Sequence, residues 1–127
     1  MNGINVLNKV LQVVIPHCVV SDEFVSGSTN WRVKKYADGF CEIEGSKYFE
    51  GLYLSAFVFD FTYTGDLELS LPITLTSLIG AWADGVIGYG KKVHCSATTK
   101  SVLVRVESFD KETVSGTVSL RIVGRWK

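Results

Sequence analysis

Apolar and polar residues alternate along most of this chain after Pro16, as expected of β-strands whose two faces meet different surroundings. Short runs of this kind recur at intervals of about 8–12 residues, and no helix of core length follows Pro16. The pattern predicts about nine or ten strands in an all-β fold, an antiparallel, jelly-roll-like β-sandwich. The inward-facing positions are clearest near the end of the chain: Val102, Val104, Val106, Val118, Leu120 and Ile122.

Residues 31–45 carry the strongest local signal, because two alternating runs flank the dipeptide Asp38-Gly39. Glycine adopts the positive φ that a tight hairpin turn requires, so Asp-Gly is a common centre of two-residue turns. The sequence therefore predicts a β-hairpin with strands at 31–36 and 40–44.

The middle of the chain is its most apolar part. The alternation there predicts one extended core strand, with one face buried and the other partly exposed to solvent. Leu52 and Leu54 lead into this strand. Its inward face would carry Phe57, Phe59, Phe61 and Tyr63, and its other face Val58, Asp60, Thr62 and Thr64. A turn is expected at 64–66, and the glycine-rich residues 80–90 are expected to form loops.

The first residues differ from the rest, and we treat 1–16 as a leader or stalk end before a β-sandwich head domain at 17–127. Four apolar residues there have the spacing of a coiled-coil seam, which Pro16 closes. A helix this short is marginal alone, so a helical segment requires partner chains in a trimeric stalk. The alternative is a disordered leader that runs into a strand at 11–15. The stalk positions would be Ile4, Leu7, Leu11 and Val14.

The composition argues against several classes of partner. The 127 residues fit one domain, and 13 basic residues balance 13 acidic ones, so no excess positive field attracts nucleic acid. The longest apolar stretch, 10–15, is too short to span a membrane, and the start of the chain lacks a signal-peptide pattern. We therefore expect a soluble protein, made and assembled in a cytosol, that binds no nucleic acid and inserts into no membrane.

Cysteine and histidine offer little evidence of a metal site. The three cysteines are widely spaced, but the dipeptides His17-Cys18 and His94-Cys95 raise zinc binding as an alternative. Adjacent residues of a strand point to opposite faces, so each dipeptide could offer only one ligand to a given site. We therefore expect no metal.

A pair of carboxylates, Glu42 and Glu44, would share one face of the second hairpin strand. Glycosidase carboxylates face each other across a cleft, whereas these stand side by side. An exposed charged face opposite Lys34 fits them better. Since the chain also lacks a serine-hydrolase or phosphate-loop motif, we expect no cofactor and no enzymatic activity.

The glycine-rich section holds the best candidate for a binding surface. Trp82, Asp84 and Tyr89 lie where glycines allow the backbone to approach a ligand closely. Aromatic faces with carboxylates nearby suit the apolar faces and hydroxyls of sugars. The alternative is that Trp82 closes one end of the sandwich. Trp31 and Trp126 are expected to be core or intersubunit anchors.

Three segments resemble parts of the tail-fibre and receptor-binding proteins of bacteriophages and prophages. They are the hairpin at 31–45, the strand at 71–77 (Leu-Pro-Ile-Thr-Leu-Thr-Ser) and the closing strand at 116–127, which ends in Gly-Arg-Trp-Lys. The likeness covers the chain from about Val19 onward. It implies a C-terminal head domain of a tail fibre or baseplate protein, located in the virion tail and assembled in the cytoplasm of the bacterial host.

The same resemblance implies a set of partners. A tail-fibre head would form a homotrimer about the fibre axis, contact other virion tail proteins and bind a host cell-surface polysaccharide. Three copies would strengthen individually weak sugar contacts through avidity. Two alternatives are a head or tail decoration protein that docks only to virion components, and an enzyme such as a polysaccharide depolymerase or esterase.

Overall fold

Nine strands form two antiparallel sheets in the computed structural model, which describes residues 17–58 and 62–127. The strands are β1 Val19–Val25, β2 Asn30–Tyr36, β3 Phe40–Tyr53, β4 Ala56–Val58, β5 Thr62–Ser70, β6 Ser77–Val86, β7 Lys92–Ala97, β8 Ser101–Ser108 and β9 Thr113–Arg125. One sheet has the order β1-β2-β3-β9-β6 and the other β4-β5-β8-β7. The all-β antiparallel sandwich predicted from the alternation is confirmed. In these two ranges no helix is long and apolar enough to cross a membrane.

Some predictions fall on residues 1–16 and 59–61, which lie outside the described part of the chain. The division into a leader at 1–16 and a head at 17–127 therefore stays a prediction, as do the positions of Phe59, Asp60 and Phe61. The same holds for the stalk positions Ile4, Leu7, Leu11 and Val14.

The core lies between the sheets and is built from the predicted inward stripes of β8 and β9. All six of those side chains are buried in one apolar cluster. Removing a valine or leucine side chain from water contributes about 1.5–3 kcal/mol, so these two strands supply a large part of the driving force for folding. Trp31 joins the same cluster with 6% of its surface exposed, which makes it a core residue.

The predicted hairpin is present as β2 and β3, but its turn differs from the two-residue form. The Gly39 N–H donates to the Tyr36 carbonyl at 3.0 Å, so Ala37 and Asp38 are the central residues. Gly39 follows them with φ of 94°, the arrangement of a turn closed by a glycine bulge. The Asp38 carboxylate then accepts the Phe40 N–H at 3.0 Å, which fixes the start of β3.

The end of the chain holds this hairpin tip in place. Trp126 donates its backbone N–H to Gly39 and its indole N–H to Tyr36, both at 2.9 Å from the accepting carbonyl oxygens. Arg125 donates to the Asp38 carbonyl at 2.8 Å. The closing residues of β9 and the hairpin turn therefore form one hydrogen-bonded unit.

The prediction of one extended core strand across 57–64 is wrong. The chain reverses between β4 and β5, and Phe57 pairs with Tyr63 across the resulting antiparallel pair. Phe57 is 59% exposed on this edge strand, whereas Thr62 and Thr64, predicted on the wetter face, are buried. The turn predicted at 64–66 is also wrong, because those residues pair with β8 within β5.

The prediction of loops at 80–90 is wrong for its first part. Residues 80–86 belong to β6 and pair with β9. A side chain at Gly80 would lie 2.8 Å from the Trp82 indole, so this glycine makes room for an aromatic ring instead of a turn. A loop does follow β6, where Gly88 and Gly90 take φ values of 128° and 76°.

Candidate functional site

The structure brings two of the three predicted binding residues together. Trp82 and Asp84 are two positions apart on β6, so they share its outer face, and the Trp82 side chain is 54% exposed. Tyr89 lies beyond the end of β6 and is fully exposed. It does not line the groove that contains the other two.

Trp82 belongs to a row of side chains that crosses the whole five-stranded sheet. The members are successive cross-strand partners, one from each strand, and lie on the face opposite the buried cluster. We call this set the platform row: Phe24, Arg32, Glu44, Arg121 and Trp82. Its two ends are aromatic and its middle is charged.

Cation–π contacts join each end of the platform row to its neighbour. The Arg32 guanidinium lies 5.1 Å from the Phe24 ring centroid, and that of Arg121 lies 5.5 Å from the Trp82 ring. Such contacts are worth about 0.5–1 kcal/mol at exposed sites and restrict the ring orientation. Both aromatic side chains nevertheless stay largely open, with Phe24 73% exposed. The platform row therefore presents two held but accessible aromatic surfaces.

Carboxylates from the next row hold both arginines. Asp22 accepts two hydrogen bonds from Arg32, at 3.0 Å from Nε and 2.8 Å from Nη2. The Arg32 guanidinium keeps the pKa of Asp22 below its usual value. Glu42 lies 3.7 Å from Arg121 and pairs across the strands with Lys34. The predicted charged face opposite Lys34 is thus present.

A second row runs parallel to the platform row, two residues further along each strand and hence about 7 Å away. It consists of exposed amide and hydroxyl side chains, which both donate and accept hydrogen bonds, and a carboxylate, which accepts them. We call this set the polar row: Asn30, Ser46, Ser119 and Asp84.

An open groove of about 660 Å³ lies between the two rows. Its floor is formed by the intervening residues, which are a glycine and three residues whose side chains point to the other face of the sheet. These floor residues are Trp31, Gly45, Leu120 and Ala83. Aromatic rings at the two ends of one wall, opposite a polar wall, suit a ligand that has both apolar faces and hydroxyl groups, as sugars do.

Sequence reasoning missed most of this groove. Arg121 is far in the chain from Phe24 and Arg32, and only the strand register aligns the three. The sequence did contain one indication of the groove. Charged residues occupy alternate positions of the strands at 31–36 and 40–44, so they share one outward face of the hairpin.

The two His-Cys dipeptides do not form a common site. His94 on β7 lies 2.7 Å from the Glu107 carboxylate on the neighbouring strand β8. Cys95 packs against the core, where burial raises the pKa of its thiol. His17 lies 2.8 Å from Asp38 at the hairpin tip. Among residues 17–58 and 62–127, no group of three or more His, Cys, Asp or Glu could hold a metal ion.

Two solved structures that resemble this chain are both of R1-type pyocin fibres. A C-terminal fragment of the P. aeruginosa R1 pyocin fibre matches 98% of the chain with a TM-score of 0.60 and 10% identity. An N-truncated R1-type pyocin tail fibre matches 98% with a TM-score of 0.59, also at 10% identity. The fold is that of a tail-fibre domain.

This tail-fibre fold confirms the structural expectation that the three resembling segments raised. The chain spans 32% of the first fibre structure and 97% of the second. No protein-family model and no curated protein matches the chain. At 10% identity the likeness concerns the fold alone.

Proposed function

We propose that this chain is the head domain of a phage-type tail fibre, a non-enzymatic module that attaches the particle to a saccharide on the host cell surface. The tail-fibre fold supports the structural part of this proposal. The groove supports the binding part, because an exposed indole and a polar row face one another across it. Trp82, with half of its surface open, is the observation on which the binding proposal depends.

The proposal includes a homotrimer within the virion tail, in contact with other tail proteins. Shallow grooves bind sugars weakly, and three copies on one fibre would raise the effective affinity without new contacts. Light scattering tests this part: we expect a solution mass near three times 14.0 kDa. A strict monomer would contradict the trimer and would favour a decoration protein that docks to virion components.

A glycan array followed by calorimetry tests the binding part. We expect at least one glycan to bind, and Trp82→Ala to weaken its binding about tenfold, or about 1.4 kcal/mol. Tyr89→Ala is the matched control, because this exposed aromatic lies outside the groove. Binding that survives Trp82→Ala but is lost in Tyr89→Ala would move the site to the loop after β6. Release of reducing ends from a bound polysaccharide would contradict the non-enzymatic proposal.

A further inference from the structure

Carboxylates of the chain itself lie beside both arginines of the groove. Arg32 donates two hydrogen bonds, from Nε and Nη2, to the Asp22 carboxylate. This pair of N–H groups is therefore not available for a two-bond contact with a carboxylate or phosphate of a ligand. Arg121 lies over the indole of Trp82 and close to Glu42. Arg32 therefore presents no free pair of N–H groups to an acidic ligand, and the charge of Arg121 is partly offset by the nearby Glu42 carboxylate.

The surrounding charges reinforce this point. Glu44 and Asp84 line the groove together with its two arginines, and the adjoining row adds Asp22, Lys34 and Glu42. Three cations thus stand against four carboxylates. An anionic ligand would gain no net attraction here and would meet carboxylates on both walls.

The length of the platform row sets the size of ligand that can use it. Five strands at about 4.8 Å spacing place Phe24 and Trp82 about 19 Å apart. A monosaccharide cannot contact both aromatic ends. The polar row runs beside this span, so hydrogen-bonding groups are available from Asn30 at one side to Asp84 at the other.

We infer that the groove takes an extended, uncharged oligosaccharide that lies across the strands, with its ends against Phe24 and Trp82. This inference rests on the proposed saccharide-binding function and specifies its ligand class. The aromatic ends would stack on sugar faces, and the polar row would exchange hydrogen bonds with hydroxyl groups along the chain of sugars.

The first test is an array that varies glycan charge and length. We expect the strongest Trp82-dependent signals from uncharged oligosaccharides, with uronic-acid or phosphate-bearing counterparts about tenfold weaker. Acidic glycans that bind as well as neutral ones, or monosaccharides that bind as well as long chains, would overturn the inference while leaving the proposed function intact. An array in which no signal depends on Trp82 would overturn both.

A charge variant provides the second test. Asp22→Asn removes the carboxylate from Arg32, so we expect the affinity for acidic glycans to rise several-fold while that for the neutral ligand changes little. Asp66→Asn is the matched control, because Asp66 accepts the same pair of hydrogen bonds from Arg105, at 2.8 and 3.0 Å, on the other sheet. Equal changes in the two variants would contradict a local effect in the groove.

A third variant tests the length of the site. Phe24→Ala should weaken binding of the longest uncharged glycan about fivefold or more, and leave fragments that reach only Trp82 unaffected. Loss of affinity for short and long glycans alike would also support contact at Phe24 but would overturn the extended placement. No loss with any glycan would overturn the use of Phe24 as an end contact.

Discussion

Replacing Gly45 by alanine should destabilise the head domain, because the inner face of β3 has no room for a methyl group there. A Cβ at this position would lie 2.6 Å from Cε3 and 3.1 Å from Cη2 of Trp31. The ring belongs to the buried cluster and cannot move aside freely. Overpacking of this kind costs about 1–3 kcal/mol. At about 4 °C per kcal/mol for a domain of this size, Tm should fall by about 4–12 °C.

Urea denaturation, followed by fluorescence and circular dichroism, measures this loss of unfolding free energy. Gly27→Ala is the control, since its Cβ would meet only Thr29 O at 3.8 Å. We expect that variant to match the parent or to gain up to about 1 kcal/mol from a less flexible unfolded chain. In a Trp31→Leu background, Gly45→Ala should cost much less, because the clashing ring is gone. Equal costs in both backgrounds, or equal effects of the two glycine variants, would refute the steric argument.

Two further predictions concern other parts of the sandwich. Trp126→Phe should lower the free energy of unfolding in urea by about 1 kcal/mol, because it removes the indole donor to the Tyr36 carbonyl; an unchanged value would show that this bond contributes nothing. Hydrogen bonds from Thr62 and His94 hold the pKa of Glu107 below its ordinary value of 4.5, so the carboxylate adds stability above that pH and loses it as acid protonates it. The urea concentration at the unfolding midpoint should therefore decrease as the pH is lowered below about 4.5, and Glu107→Gln should reduce that decrease. A variant whose midpoint depends on pH as the parent's does would rule out this contribution.

The alternation of side chains predicted the faces of β8 and β9, because both strands are long and have one buried face. It failed in the middle of the chain, where the apolar phase continues across three separate strands, from the end of β3 through β4 to the start of β5. The link between β3 and β4 is Leu54-Ser55, which lacks the glycine, proline, asparagine or aspartate that marks most turns. Local sequence therefore gave no reason to separate β4 from the residues that lead into it.

The error at 80–86 has a different physical origin. Glycine weakens a strand and often marks a turn, so a glycine-rich segment predicts loops. In β6, however, the position of Gly80 has no room for a side chain, because the Trp82 ring occupies that space. The sequence shows that a glycine is present but does not show whether it meets a conformational or a steric need.

The groove could not be predicted as a unit, because it depends on the register of five strands. For β2, β3 and β9 the register is enforced from the opposite face, where Val33, Ile43 and Ile122 are successive cross-strand partners in the core. A slip of one residue would turn the charged members of the platform row inward, at the cost of burying unpaired charges. No residue of β1 is buried, so Phe24 is placed by the backbone pairing of β1 with β2. From β2 to β6 the core aligns the platform row without help from its surface contacts. For this reason a substitution at Trp82 should change binding with little effect on folding, whereas one at Ile43 should change both.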